Sequence, residues 1–209
     1  MAVIALKGGS GKTTIAMHLA LAAHLRGFDV LVADIDPQRS AENILSSRAA
    51  PGPPCVAAPG AALMSAKFAA LSQRRELFFI DTPAGALEEV GEAVVLADYA
   101  VLVVRPTLID LSALARTLQL VRRLAKPYTV VVSQAPAARE GVEAPLVKRA
   151  LRGLDYMKVP VAPVIVRARS VYQTALETGR SAEETSDTAA AAEIAALWGF
   201  LLAAVGAEA

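Results

Sequence analysis

The feature that most constrains this chain is the octapeptide KGGSGKTT, Lys7–Thr14, which follows a short apolar segment, Ala2–Leu6. Three glycines within four positions permit a tight turn whose successive N–H groups point inward. The apolar pattern from Thr14 to Leu25 predicts a helix that begins where the glycines end. A strand, a glycine-rich loop and a helix N-terminus in this order form a cradle for the phosphates of a nucleotide.

Each part of this loop has an expected role. Lys12 supplies a positive charge to the phosphates, and the Thr13 hydroxyl is a ligand for Mg²⁺. The alternative is a glycine loop that only joins a strand to a helix, and the Lys-Thr pair directly after the last glycine disfavours it. The predicted nucleotide-binding residues are Gly8, Gly9, Ser10, Gly11, Lys12, Thr13 and Thr14.

Two later strands are predicted to end in acidic residues. The segment Asp29–Ile35 is followed by Asp36-Pro37-Gln38, and the apolar run Leu77–Ile80 is followed by Asp81. An apolar strand that ends in an acid is the Walker B arrangement, in which Asp81 holds the magnesium ion through water, opposite Thr13. Asp36 is placed for magnesium or water chemistry, although an Asp-Pro pair also terminates strands for structural reasons alone.

The alternation of strands and helices predicts one α/β domain over residues 1–209. We expect a mostly parallel sheet of about seven strands with helices on both faces. The last strand is predicted at Val161–Val166, a loop or short edge segment at 51–60, and a packed C-terminal helix at Ala189–Val205. Asp110 is predicted to cap the helix that runs to Leu124.

Composition narrows the class of protein. Hydrophobic residues make up 55% and aromatic residues 5%, which indicates a core of Ala, Val, Leu and Ile. The single cysteine, Cys55, excludes an internal disulfide or a multi-cysteine metal site and suits a reducing cytosol. The first six residues do not resemble a signal peptide, so a cytoplasmic protein is expected.

Charge is distributed unevenly along the chain. The formal net charge is +1, but residues 120–180 hold eleven Lys/Arg against four Asp/Glu, whereas residues 181–209 hold five acids and no base. This asymmetry makes a basic, nucleic-acid-binding surface plausible, the alternative being ordinary solvated helix faces.

The phosphate loop also departs from the usual spacing, because Leu6 stands where the first glycine is expected and Lys7 follows it. In this form the loop resembles the deviant Walker motif of the ParA/MinD ATPases. The segments around Asp36 and Asp81, and the later Arg169-Ser170-Val171-Tyr172, extend the resemblance along nearly the whole chain. It is similar above all to the short, ParF-like plasmid partition ATPases, which start directly at the first strand.

This resemblance implies a slow, partner-stimulated ATPase that uses ATP and Mg²⁺ and has Lys7, Lys12 and Asp36 as catalytic residues. Lys7 would reach across an ATP-dependent homodimer to the nucleotide of the partner subunit. The dimer would bind DNA without sequence preference through Arg167 and Arg169. It would associate with the nucleoid and act with a small centromere-binding, ParB/ParG-like protein, without a membrane.

The chain departs from the pattern of the ParA/MinD family at two places, and several alternative functions need to be considered. Ser133-Gln134 stands where many relatives have other residues near the adenine, and Ala182 replaces a usual valine. A MinD-type membrane switch is disfavoured because Trp198–Ala209 contains no basic residue, and an iron-protein-like reductase is excluded by the single cysteine. An ATPase that positions another cellular cargo, or a metabolic kinase or synthetase, remains open.

Overall fold

The computed structural model describes residues 1–208, and within them six strands form one parallel sheet. The strands are β1 (Ala2–Ile4), β2 (Val30–Asp34), β3 (Cys55–Ala57), β4 (Leu77–Asp81), β5 (Ala100–Val104) and β6 (Tyr128–Val132). Their order across the sheet is β3-β2-β4-β1-β5-β6. The strand before the phosphate loop, β1, is therefore flanked by strands on both sides, and β3 is the expected short edge segment.

Helices cover both faces of the sheet, as predicted. The helices are α1 (Lys12–Leu25), α2 (Ser40–Ser46), α3 (Ala62–Ser72), α4 (Leu87–Leu96), α5 (Leu108–Arg123), α6 (Pro145–Tyr156), α7 (Val171–Leu176) and α8 (Thr188–Glu208), with a 3₁₀ helix at Ala182–Glu184. One apolar core lies between the sheet and α1, α2, α7 and α8, and a second lies between the sheet and α3 to α6. Alternating residues of β1 enter the two cores, Val3 one and Ile4 the other.

The predicted seventh strand, Val161–Val166, is replaced by an irregular segment beside β6. Isolated parallel bridges join Val130 to Val161 and Ala135 to Arg167. Pro160 and Pro163 interrupt this segment, and proline has no N–H group to donate to a ladder. The segment therefore follows the edge of the sheet without forming a continuous strand.

The C-terminal helix α8 packs against the core along one face. Ala190, Ile194, Leu197, Trp198 and Leu201 are buried, and this spacing places them on one side of a helix. Trp198 contacts Phe28 edge to face, with 5.7 Å between ring centroids. By length and composition alone, Thr188–Gly206 is also apolar enough to cross a membrane, with 28% of its apolar stretch buried. Its packing agrees with the predicted core helix.

A buried histidine links α1 to the segment before α8. His18 is fully buried, and its Nε2 bonds to the carbonyl of Tyr172 at 3.1 Å. The backbone N–H of Ala182 donates to His18 Nδ1 at 3.2 Å, which leaves the proton on Nε2. Burial lowers the pKa of His18 to about 4, against the opposing effect of the Tyr172 carbonyl. His18 is therefore a neutral packing residue. No cluster of three or more metal-ligating side chains occurs among the described residues.

A buried, neutral His18 predicts a contribution to the stability of the fold that depends on pH. His18 takes up a proton at an ordinary pKa in the unfolded chain but only near 4 in the fold, so its contribution is present above pH 6.5 and is lost as the pH falls. The difference in unfolding free energy between wild type and His18→Gln should shrink by about 2 kcal/mol between about pH 7.5 and about pH 5. Urea unfolding at both pH values measures it, with His24→Gln as the control on the same helix. A difference that does not change with pH would contradict the assignment.

Candidate nucleotide-binding site

The carboxyl ends of the central strands bring the predicted site residues together. Asp34 at the end of β2 is the registered partner of Asp81 at the end of β4, and the Ile35 N–H donates to the Asp81 carbonyl at 3.1 Å. The phosphate loop follows β1, the next strand along the sheet. The phosphate loop and Asp81, which are distant in the sequence, thus meet at the carboxyl edge of the sheet, which is where α/β proteins bind their ligands.

The phosphate loop has the expected conformation. Gly9 and Gly11 have φ angles of 72° and 91°. Residues other than glycine adopt such positive φ angles only with strain. Gly11 is the N-cap of α1 and provides no side-chain cap, so the first N–H groups of the helix remain available to an anion. Lys12 is only 7% exposed. Burial lowers its pKa, while the nearby Asp81 and Asp36 oppose that change.

Asp34, the last residue of β2, and Asp36, two positions further on, have different roles. Asp34 is buried and accepts hydrogen bonds from the backbone N–H groups of Asp36 at 3.0 Å and Glu42 at 3.1 Å. Burial raises the pKa of Asp34, and these backbone donors oppose the rise. Asp36 is partly exposed, and its carboxylate accepts only the Gln38 N–H, at 2.9 Å, among the described residues. Asp34 therefore shapes the loop, and Asp36 is the acid available for chemistry.

Lys7 is held by an acidic residue 103 positions away. Its Nζ lies 3.0 Å from Oδ2 of Asp110, and Nε of Arg105 lies 3.0 Å from the other oxygen, Oδ1. Burial alone would raise the pKa of Asp110, but Thr107, Lys7 and Arg105 together lower it. The prediction that Asp110 caps α5 was wrong, because Thr107 is the N-cap and accepts the Asp110 N–H at 3.1 Å. Asp110 instead binds the two cations.

Two residues that sequence reasoning did not assign hold the phosphate loop from behind. The Ser133 hydroxyl donates to the Ser10 carbonyl at 2.5 Å, and the Gln134 amide donates to the Gly9 carbonyl at 2.9 Å. A Cβ atom added at Gly11 would lie 3.2 Å from the Gln134 amide nitrogen. The φ angle of 91° therefore favours glycine here, and a side chain would in addition crowd Gln134. The only sequence signal was the departure from related proteins at these two positions.

The comparison with known proteins decides the family. The CobQ/CobB/MinD/ParA nucleotide binding domain matches residues 1–181. The chain belongs to this family.

Members of known structure share the fold over almost the full chain. The apo McdA of Cyanothece superimposes with a TM-score of 0.80 at 17% identity, covering 98% of both chains. A Borrelia burgdorferi B31 protein described as a plasmid partition protein, bound to AMPPNP, gives 0.70 at 16% identity and covers 97% of both chains. A Rhizobium rhizogenes protein described as a replication protein A is 48% identical over 48 residues, which is 23% of this chain and 12% of that relative.

A cavity of about 240 Å³ lies beside the phosphate loop of this ParA/MinD family protein. Gly11 and Thr14 form one side, and the segment from Val166 to Gln173 forms the other. A nucleoside attached to phosphates in the loop has room here. The Gln134 side chain lines the same cavity, but its amide is already bonded to Gly9. One N–H of this amide therefore supports the loop, and an amide also has a second N–H and an oxygen with which a base could bond.

The two arginines predicted to bind DNA lie at this cavity and are both ion-paired. Arg167 forms a two-pronged pair with Glu143 at 2.8 and 2.6 Å. Arg169 pairs with Glu193 of α8 at 2.8 Å, and the Tyr172 hydroxyl donates to the same carboxylate at 2.7 Å. Their role in DNA binding remains a prediction, and in this structure they join the cavity wall to Glu143 and α8.

Asp81 fits the predicted magnesium site. It is fully buried, and neither carboxylate oxygen has a hydrogen-bond partner among the described residues. Burial raises the pKa of Asp81 to about 7, with the nearby Thr13 hydroxyl and Lys12 opposing that rise. A hydrated Mg²⁺ would supply the missing partner, with Thr13 as a direct ligand and Asp81 bound through water.

Asp81→Asn keeps the size of the side chain and removes its charge. Loss of a carboxylate that orients metal-bound water should weaken ATP binding in the presence of magnesium by about 10- to 100-fold. Binding without magnesium should change much less. Titration calorimetry with ATP, with and without Mg²⁺, measures both effects. Equal ATP affinity of the wild type under the two conditions would rule out the magnesium assignment.

Proposed function

We propose that this protein is a ParA-type ATPase that dimerises around ATP and Mg²⁺ and binds DNA without sequence preference in that state. With a centromere-binding partner, the dimer segregates a plasmid or chromosome region along the nucleoid. The observation that carries this proposal is the position of Lys7. This lysine precedes the phosphate loop, yet its ammonium group binds Asp110, while Lys12 is the lysine buried near Asp81 and Asp36.

The division between the two lysines suits a dimeric site. Lys12 supplies the positive charge that a nucleotide requires within one subunit, so a second cation is not needed there. Lys7 is available to the phosphates of a second subunit that faces the first. In that position it would offset the repulsion between two bound nucleotides and stabilise the charge that develops during phosphoryl transfer.

Asp36 is the proposed residue that orients or polarises the attacking water. Among the acids near Lys12, Asp34 is committed to backbone N–H groups, and Asp81 is enclosed. Asp36 is partly exposed and follows β2, whose last residue, Asp34, is the registered partner of Asp81. The negative charge of Asp36 also opposes the lowering of the Lys12 pKa, and this supports a position close to the phosphates that Lys12 would bind.

Asp36→Asn tests this role while preserving local structure. The asparagine oxygen can still accept the Gln38 N–H, but it is a poor partner for a water proton. Hydrolysis should fall by about 100-fold or more, while ATP binding and dimerisation persist. Phosphate release and sedimentation in ATP and Mg²⁺ measure the two properties separately. Wild-type hydrolysis by this variant would assign the role to another group.

Lys7→Ala tests the dimeric site. We expect it to bind ATP as a monomer but to lose the ATP-dependent dimer, and therefore DNA retention, whereas Lys12→Ala should lose nucleotide binding itself. Lys67→Ala is a matched control, because Lys67 also lies in an ion pair, with Asp98 at 3.2 Å, but belongs to α3. Sedimentation of the three variants with ATP and Mg²⁺ makes the comparison. A stable Lys7→Ala dimer would contradict the proposal.

A second candidate is a kinase or synthetase that acts on a small metabolite. A cavity of about 770 Å³ opens beside Lys7 and Gly85, and Arg116 and Arg123 of α5 line it. Two arginines next to a phosphate loop suit an acceptor that carries a carboxylate or phosphate. ATP turnover that requires such a metabolite, and that does not respond to DNA or a partner protein, would favour this candidate.

A related ATPase that positions another cellular cargo would differ from the proposed ATPase in the partner protein that it binds.

A further inference from the structure

The basic residues of this chain divide into two groups. Nine of the 21 Lys and Arg side chains lie in ion pairs with acids of the described residues. Arg167 and Arg169, the residues first predicted to bind DNA, belong to this paired group. An arginine whose charge is balanced by a nearby carboxylate attracts a phosphate weakly, because the carboxylate repels it. A surface for a polyanion should instead contain cations without acidic partners.

Such cations are concentrated on α6 and at the end of α5. We define the basic face as five exposed side chains without an ion-pair partner among the described residues: Arg122, Lys148, Arg149, Arg152 and Lys158. The exposed acid on α6 is Asp155. The like charges of Lys148 and Arg152, one turn apart, repel each other. An anionic ligand would remove that repulsion.

Packing orients these residues together. α6 buries Val147, Ala150 and Leu154, so Lys148, Arg149 and Arg152 lie on the opposite, solvent-exposed side. The Arg122 guanidinium donates to the Met157 carbonyl at 3.1 Å, which places the end of α5 next to the end of α6 and adjacent to Lys158. A carbonyl does not neutralise the guanidinium, so Arg122 keeps its full charge.

We infer that this basic face is the surface that binds the DNA backbone, and that Arg167 and Arg169 act in the wall of the nucleotide cavity. The inference rests on the proposed function and specifies where DNA binds. The 12 residues of α6 extend about 18 Å, a length of duplex that carries about ten phosphate charges. Contacts from Lys and Arg to phosphates carry no base information, in agreement with sequence-tolerant binding.

The composition of the face favours DNA over a membrane. A helix that binds a bilayer surface places large apolar side chains beside its basic residues. The exposed side of α6 contains one large apolar group, Tyr156, which is 87% exposed, among charged residues. Dimerisation would join two basic faces in one particle, and two linked weak sites bind a long polymer far more tightly than one. This accounts for DNA binding that depends on ATP.

The test compares three sets of substitutions that change the net charge in a controlled way. The face variant is Lys148→Gln/Arg149→Gln/Arg152→Gln, and the cavity variant is Arg167→Gln/Arg169→Gln. The matched control, Arg74→Gln/Arg139→Gln/Arg180→Gln, removes the same three charges as the face variant from exposed positions elsewhere. Fluorescence anisotropy with a mixed-sequence duplex, in ATP and Mg²⁺, measures affinity across a salt series. Sedimentation confirms that each variant still forms the ATP-dependent dimer.

We expect the face variant to lose at least tenfold in affinity and the control to retain it. The slope of log affinity against log salt should become shallower by about 0.9 for each phosphate contact removed. Unchanged affinity and slope in the face variant, with loss in the cavity variant, would overturn this inference and leave the proposed function intact. Absence of DNA binding by the wild type would instead overturn the proposed function. Wild-type binding to vesicles containing phosphatidylserine but not to DNA would overturn both.

Discussion

The site depends on two buried charges of opposite sign that the protein alone does not fully satisfy. Lys12 and Asp81 both lie at the carboxyl edge of the sheet, one 7% and the other 0% exposed. Burial lowers the pKa of the lysine and raises that of the aspartate, and each partly offsets the shift of the other. Both changes disfavour the charged form. A phosphate chain beside Lys12 and a hydrated cation beside Asp81 would reverse them, so ligand binding and stabilisation of the site are the same event.

The rest of the fold maintains this arrangement. Parallel pairing of β2 with β4 fixes Asp34 opposite Asp81, and Asp34 then holds the loop that carries Asp36. Ser133 and Gln134 hold two carbonyl groups of the phosphate loop, those of Ser10 and Gly9, and so fix the backbone of the loop. Such preorganisation matters because donors that are already oriented need not rearrange as charge develops during phosphoryl transfer.

The parts of the structure that sequence predicted are those that local patterns determine. The phosphate loop, the helix after it, the apolar strand that precedes Asp36 and the apolar strand that ends in Asp81 each have a signal within a few residues. The replacement of the seventh strand was also predictable, since Pro160 and Pro163 are in the sequence. The N-cap of α5 was also predictable, because Thr107 lies three residues before Asp110, and a threonine in this position is a common helix start.

Contacts between distant segments could not be predicted in the same way. Lys7 and Asp110 are 103 residues apart, and Gln134 and Gly9 are 125 apart. Whether a given arginine is paired depends on which acid the fold brings beside it. The sequence showed a basic surplus over residues 120–180, but it could not show that Glu143 and Glu193 neutralise two members of that surplus. Only the structure shows which Lys and Arg side chains are paired with an acid and which are not.

The Lys7–Asp110 contact fits a switch because Asp110 has other partners. When a buried carboxylate loses its only cation, it is left uncompensated, and such a state is strongly unfavourable. Asp110 is 2% exposed, yet Arg105 and Thr107 would remain bound to it after Lys7 departs. In the proposed dimer, Lys7 would therefore exchange this carboxylate for a phosphate of the partner subunit without leaving an isolated charge in the protein. The arrangement that holds Lys7 beside Asp110 would also make its release feasible.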